Sequence, residues 1–265
     1  MSKISDQQYL KTAQYKDASN LNARIELHKR FSTNIYGWGR WVFDAYLEWL
    51  PGQARILEVG CGPATIWSEN ITRLPAGWTI TLSDFSEGML DSAWRNLVVT
   101  GRTFKFEQID AQSIPYPDET FDVVIANHML YHVPDRPKAI GEICRVLKPG
   151  GQLIATTVGD QHMDEINLWL KRMGKDPAQF LVPFTLESGL AQLQPYFSNV
   201  EMRRYIDSLQ IPEIEPLMAY ISSMARFGDF PEAAFADLRN DLARELQSKG
   251  ILVVQKDSGL FHAVK

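Results

Sequence analysis

Trp38, Trp41, Val42, Ala45, Tyr46 and Trp49 recur at i, i+3, i+4, i+7, i+8 and i+11. That is the spacing of one helix face, and Leu50-Pro51-Gly52 closes the run. Its aromatic stripe reads as core packing. Upstream, residues 1–34 are polar, with Leu21, Ile25, His28 and Phe31 near one face, which predicts another helix. After Gly52 the pattern turns to strand–helix alternation. Residues 55–59 form a short apolar strand that runs into a glycine turn and a helix carrying Ile66, Trp67, Ile71 and Leu74. Residues 79–83 are a second strand. The next helix is capped by Ser86, with Met89, Leu90, Ala93, Trp94 and Leu97 inward. Residues 103–109 alternate as a third strand. Residues 121–126 (FDVVIA) are almost continuously apolar, as in a strand buried on both faces. A helix over 137–147 stops at Lys148-Pro149-Gly150-Gly151, and 152–158 is a fifth strand. Such alternation implies a parallel sheet with helices on both sides.

Beyond Val158 the alternation breaks. Helical patterns carry Ile166, Trp169, Leu170 and Met173, then Leu186, Leu190, Leu193 and Phe197, separated by Pro177 and Pro183. Residues 200–211 suit a sixth strand, and helices are expected around 216–227 and 231–248, the second with Phe235, Leu238, Leu242 and Leu246 on one face. Residues 251–264 are strand material interrupted by Asp257-Ser258-Gly259. No repeat or long linker divides the chain. It reads as one domain of three parts: a helical cap over 1–50, a core over 51–158, and an insert with the last strands over 159–265.

Charge narrows the partners. The net charge is −5 and the isoelectric point about 5.6, and no basic stripe is present. Nucleic acid is therefore not an expected partner. Arg203-Arg204 falls in a strand and reads as a solvated edge. The two cysteines, Cys61 and Cys144, give neither a disulfide framework nor zinc spacing. The polar start lacks the apolar core of a signal peptide, and no run approaches the ~18 apolar residues of a membrane span. A cytoplasmic protein without a membrane partner is expected.

The candidate chemistry lies in Leu57-Glu58-Val59-Gly60-Cys61-Gly62-Pro63-Ala64-Thr65. Glycine after a strand removes the Cβ that would collide with a ligand. The dinucleotide pattern G-x-G-x-x-G fails, because position 65 is threonine. A carboxylate at Glu58 repels a pyrophosphate and suits a ligand with a positive end, such as an amino acid ammonium group. Asp84 ends the second strand 22 residues after Gly62, close to the ~20-residue offset at which an acid meets a ribose.

The segments EVGCGPA, LSDFSEGML, IDAQSIPYPDETFDVVIANHMLYHVPD and EICRVLKPGGQLIATT, taken in order, resemble the motifs of class I S-adenosylmethionine-dependent methyltransferases. The branch they resemble is the small-molecule one that includes ubiquinone- and menaquinone-biosynthesis methyltransferases. The resemblance covers about 100 residues. It implies a doubly wound α/β fold, Rossmann-like, with a seven-stranded, mostly parallel sheet in the order 3-2-1-4-5-7-6. It implies S-adenosyl-L-methionine as cofactor and a small-molecule methyl acceptor as partner. Ala64 departs from the pattern, since many members carry a third glycine there.

Carried over residue by residue, Glu58, Gly60, Cys61 and Gly62 resemble the turn that holds the methionine part. Asp84 resembles the ribose-binding acid, with Phe85 and Met89 beside the nucleoside. Asp110 and Ala111 resemble the pair that meets adenine, and Asn127 the residue whose backbone meets the methionine amino group. An enzyme that modifies or cleaves the cofactor, or a non-catalytic cofactor-binding protein, would share these motifs.

His128 and His132 are four apart. His128 directly follows the fourth strand and is a candidate substrate-facing catalytic residue, whereas His132 reads more as a turn residue bonded to backbone. No third ligand accompanies them, so no metal is expected. The acceptor would be covered by the N-terminal helices (Tyr9, Tyr15, Arg24, His28, Tyr36) and by Trp169, Met173, Phe180 and Phe184 of the insert. Met218, Tyr220 and Met224 of the following helix add to that apolar, aromatic lining.

Overall fold

Helices on both faces of one sheet account for the apolar run over 121–126. The computed structural model describes residues 3–17, 19–172, 182–224 and 232–265. Short N-terminal turns, including α1 (Gln7–Tyr9), lead into α2 (Ser19–Phe31) and α3 (Trp38–Trp49). Then come β1 (Gln53–Val59), α4 (Thr65–Glu69), β2 (Gly77–Asp84), α5 (Glu87–Val98) and β3 (Lys105–Gln108). The middle of the chain gives β4 (Phe121–Asn127), α6 (Arg136–Val146), β5 (Leu147–Val158) and α7 (Asp164–Arg172). The last elements are α8 (Leu186–Leu193), β6 (Asn199–Ile211), α9 (Ile214–Ser223), α10 (Glu232–Lys249) and β7 (Leu252–Val264).

The strands lie in the order β3-β2-β1-β4-β5-β7-β6. β1 through β5 pair in parallel, and β7 runs antiparallel between β5 and β6. This is the doubly wound architecture that the resemblance implied. Parallel strands all end at one edge, so Val59, Asp84, Gln108 and Asn127 finish side by side. That edge is where open α/β sheets bind ligands.

One face of the sheet packs on α3, with Val42, Phe43 and Tyr46 fully buried against Ile56, Leu82 and Ile125. The other takes α6 and α8, through Ile140, Ile143 and Leu193 against Val124, Leu153 and Phe261. A third apolar cluster joins α2, α7, α9 and α10, with Leu27, Leu170, Leu217 and Leu242 at its centre. Ser86 caps α5, its Oγ accepting from the Met89 N–H at 3.4 Å.

The structure differs from the periodicity in three places. Asp257-Ser258-Gly259 does not interrupt the last strand: β7 is continuous because β5 and β6 pair with it on both sides. Trp94 is 53% exposed and Leu190 is 39% exposed, although both fall on inward registers. Short amphipathic helices against a twisted sheet leave one flank of the apolar stripe in water. Among the supposed lining residues, Trp169 is core of the third cluster, and Phe184 is fully buried against Phe261. Met173 and Phe180 lie outside the described residues.

Candidate functional site

Gly60 and Gly62 take φ of +71° and +54°, which places the turn after β1 in the left-handed region. Ala64 follows at +57°, so this alanine accepts a conformation that glycine would take more easily. A Cβ at Gly60 would lie 2.7 Å from Cβ of Met129, in the loop after β4. Backbone strain and steric contact therefore act together at this position. Gly60→Ala is expected to lower stability by about 1–3 kcal/mol. Urea unfolding checks this, and an unchanged midpoint would show that the two loops do not press on each other.

Glu58, the last but one residue of β1, is 2% exposed. Its carboxylate accepts from the indole N–H of Trp67 on α4 and from Nδ2 of Asn127 at 2.7 Å. Asn127 Nδ2 also donates to Tyr46 Oη at 2.7 Å. With the amide nitrogen turned toward two acceptors, Asn127 Oδ1 is buried and meets no donor among the described residues. A buried carbonyl oxygen without a donor is costly. Beside a carboxylate it forms a receptor for a cationic N–H group. Burial pushes Glu58 up to about 7, helped by the nearby Asp84 charge and opposed by the Trp67 and Asn127 bonds.

Asp84 closes the next position along the edge. Its Oδ2 accepts from the Gly62 N–H at 2.9 Å and its Oδ1 from the Ser86 N–H at 2.8 Å. The carboxylate thus ties the glycine turn to the start of α5, and burial raises it to about 6. Phe85 and Met89 follow it, Met89 at 1% exposure. Asp110 and the buried Ala111 lie just after β3. Asp110 Oδ1 accepts from the Gln112 N–H at 2.9 Å, and Oδ2 accepts from Gln7 Nε2 at 3.1 Å. An amide NH2 therefore already sits where the resemblance put the exocyclic amine of adenine. Cys61 is buried, its N–H donating to the Ser83 carbonyl, and burial raises its thiol.

These groups fit S-adenosylmethionine. Asn127 and Glu58 offer acceptors for the methionine ammonium, Asp84 for the ribose hydroxyls and Asp110 for the adenine amine. Along the sheet edge the set runs Asp110, Asp84, Glu58 and Asn127, following the strand order β3-β2-β1-β4. The resemblance gave this role to the Asn127 backbone, whereas the group that the structure sets beside Glu58 is its side chain.

The raised carboxylates give binding a pH dependence. A cationic partner needs Glu58 ionised, so binding at pH below about 7 must release a proton. The dissociation constant for S-adenosylmethionine is expected to fall roughly tenfold from pH 5.5 to 8, with Asp84 sharing the lower part of that window. Titrations at four pH values measure it, with Glu58→Gln reducing the slope. A flat profile would uncouple Glu58 from the ligand. Without ligand the sign reverses. The raised Glu58 contributes stability below its unfolded value of about 4.5, and that contribution is lost as pH rises through 7.

The acceptor side of the edge is built from distant segments. His128 lies in the left-handed region, φ +49°, and its N–H is held by the carbonyl and Oγ1 of Thr156 on β5, at 3.1 and 3.0 Å. Its ring lies 5.3 Å from Trp38 and 6.3 Å from Tyr131. Burial, with Lys256 adding to it, lowers the imidazole to about 4. His132 Nδ1 lies 2.7 Å from the Ile4 carbonyl, which can only accept, so Nδ1 carries the proton. Nε2 then accepts from the Tyr15 hydroxyl at 2.8 Å. His132 bonds backbone within its own turn, its N–H donating to the Met129 carbonyl at 2.9 Å, and its ring bonds the carbonyl of Ile4, 128 positions away.

The N-terminal segment crosses the whole edge. Gln7 meets Asp110, Lys11 sits 5.5 Å over the Phe85 ring, and the Tyr15 carbonyl accepts from Ser86 Oγ at 2.6 Å. Of these partners, only Tyr15 was among the residues expected to cover the site. Trp67 and Tyr46 carried a readable signal, because a buried Trp N–H or Tyr O–H must find a partner. Gln7 carried none. Among the described residues, no three metal-ligating side chains gather, and no helix is long and apolar enough to cross a membrane.

Residues 57–155 match the family described as methyltransferase domain. The chain is 29% identical over 183 residues to malonyl-[acyl-carrier protein] O-methyltransferase of Enterobacter lignolyticus, covering 66% of each. It is 35% identical over 117 residues to demethylmenaquinone methyltransferase of Thermus thermophilus, covering 44% of this chain and 52% of that one. Across such curated relatives the match spans 35% to 70% of the relative's own length. Phosphoethanolamine N-methyltransferase 2 of Haemonchus contortus, solved with S-adenosylmethionine, superposes with a TM-score of 0.61 at 18% identity. That match covers 98% of this chain and 59% of that one, and it is a likeness of fold. The strand order and the acidic residues along the carboxyl edge agree with the match of residues 57–155 to the methyltransferase domain family.

Proposed function

We propose that the protein transfers the methyl group of S-adenosylmethionine to a small, partly apolar acceptor and releases S-adenosylhomocysteine. The observation that carries this reading is Asn127 Oδ1, which meets no donor among the described residues, beside the Glu58 carboxylate and on the same edge as Asp84 and Asp110. The cofactor supplies a methyl group on a sulfonium, already activated for displacement. The residues of the chain have to place a nucleophile in line at ~3–3.5 Å and exclude water. A base is required only where the acceptor sheds a proton as it attacks.

His128 is neutral at physiological pH, so it accepts a hydrogen bond from the acceptor and orients it. The Tyr15–His132 pair holds the N-terminal segment over the edge. Trp38 and Tyr131 give the neighbouring surface its aromatic character. Relatives named for a quinone precursor and for an acyl-carrier substrate are consistent with an acceptor of mixed polarity. Incubation with methyl-labelled S-adenosylmethionine and fractionated metabolite extracts tests the reading. Label should enter one extract component in step with S-adenosylhomocysteine release. Cofactor breakdown without a labelled product would indicate an enzyme that cleaves the cofactor.

A further inference from the structure

Arg24 and His28 stand one turn apart on α2, on the side that meets α9. The Arg24 guanidinium is largely enclosed and makes no ion pair among the described residues. Its Nε donates to Ser223 Oγ at 3.2 Å, one terminal nitrogen to the Ser223 carbonyl at 2.9 Å, and the other to the Tyr15 hydroxyl at 3.5 Å. Of five N–H donors, two remain. The C-terminal carbonyls of α9 carry only about half a unit of negative charge. A buried cation normally has a full counter-charge. Lys256, the neighbouring buried cation, has one in Asp207.

The second observation is on the same helix. His28 Nδ1 is buried and has no partner among the described residues, and the ring lies edge-on to Tyr220 at 5.7 Å. Tyr15 links Arg24, one turn from His28, to His132, and Tyr131 links His132 to His128. Both unfulfilled groups thus belong to the acceptor side of the edge. The carboxylates of the cofactor side, Glu58, Asp84 and Asp110, each have other donors.

We propose that Arg24, with His28 beside it, anchors an oxyanion of the methyl acceptor, a carboxylate or a phosphate. This rests on the methyl-transfer reading and adds the charge of the substrate to it. The planar guanidinium fork suits either group, and an anion there supplies the counter-charge that no described residue provides. A purely structural Arg24, tethering α2 to the end of α9, would hold the fold without discriminating between ligands by charge.

The test uses the full chain saturated with S-adenosylhomocysteine, titrated at fixed ionic strength with benzoate, phenyl phosphate and benzyl alcohol. At least one anion should bind ten times more tightly than the alcohol, and which one does so separates carboxylate from phosphate. Arg24→Gln should abolish that preference, and Arg24→Lys should keep part of it. Should Arg24→Gln fail to fold, the wild-type preference and the Arg24→Lys loss still decide. Equal binding of alcohol and anions, no binding of any probe to tens of millimolar, or a preference that survives Arg24→Gln overturns the proposal. Failure to bind S-adenosylhomocysteine at the outset would instead count against the methyltransferase reading.

Discussion

Asp84→Ala is expected to raise the dissociation constant for S-adenosylmethionine by about 10- to 150-fold, equivalent to about 1.5–3 kcal/mol. The carboxylate stands at the end of β2, with each oxygen already accepting one backbone N–H, from Gly62 and from Ser86. Its remaining lone pairs face the edge, where ribose hydroxyls would donate. Charged hydrogen bonds of this kind contribute more than neutral ones, and burial enlarges the difference. Alanine removes the ribose acceptors together with the tie between the glycine turn and α5. Asp84→Asn separates the two effects, because an amide oxygen can still accept one of the backbone donors. Asn should fall between wild type and Ala in affinity, while melting temperatures stay close to wild type. Calorimetric titration of the three proteins measures this. A dissociation constant unchanged in Asp84→Ala would remove the residue from the ribose role.

His128→Ala is expected to lower turnover at least tenfold with cofactor affinity nearly unchanged. A general base typically contributes ~10²–10⁴ in rate, but an imidazole held down near 4 is a poor proton acceptor at neutral pH. An orienting hydrogen bond therefore places the loss nearer the tenfold end. The rate should also lack an acid limb near 6.5 that belongs to His128. Its left-handed backbone is the kind of local strain that gathers at working positions. Alanine leaves that strain in place, so the variant isolates the ring. His132→Ala should behave differently, costing stability more than turnover, since it releases both Tyr15 and the Ile4 carbonyl. Single-turnover rates and thermal melts of both variants, with an identified acceptor, separate the two roles. Wild-type turnover in His128→Ala would make that residue scaffold.

Much of the core was readable because its causes are local. The apolar run over 121–126, the glycine turn after 55–59 and the Ser86 cap each depend on neighbours within a few residues. The full strand order followed from the resemblance, since periodicity alone cannot place β7 between β5 and β6. Asp257-Ser258-Gly259 looked like a break because those residues form turns in isolation, but pairing on both sides overrides that tendency. Glu58, Asp84, Asp110 and Asn127, read as cofactor-facing, each end a strand or follow one, and the structure brings them to the same sheet edge. The contacts that the N-terminal segment makes along that edge were illegible. Gln7 meets Asp110 across 103 positions, and Tyr15 meets His132 across 117. No period in the sequence encodes such a contact. Nor could spacing show that Arg24 would be enclosed without a carboxylate among the described residues, or that Asn127 would turn its amide nitrogen toward Glu58.

Calorimetric titration of the wild-type chain with S-adenosylmethionine at pH 8 tests the central claim most directly. Saturable one-to-one binding is expected, with S-adenosylhomocysteine competing for the same site. The absence of saturable heat up to millimolar cofactor would contradict the reading of this edge as a cofactor site.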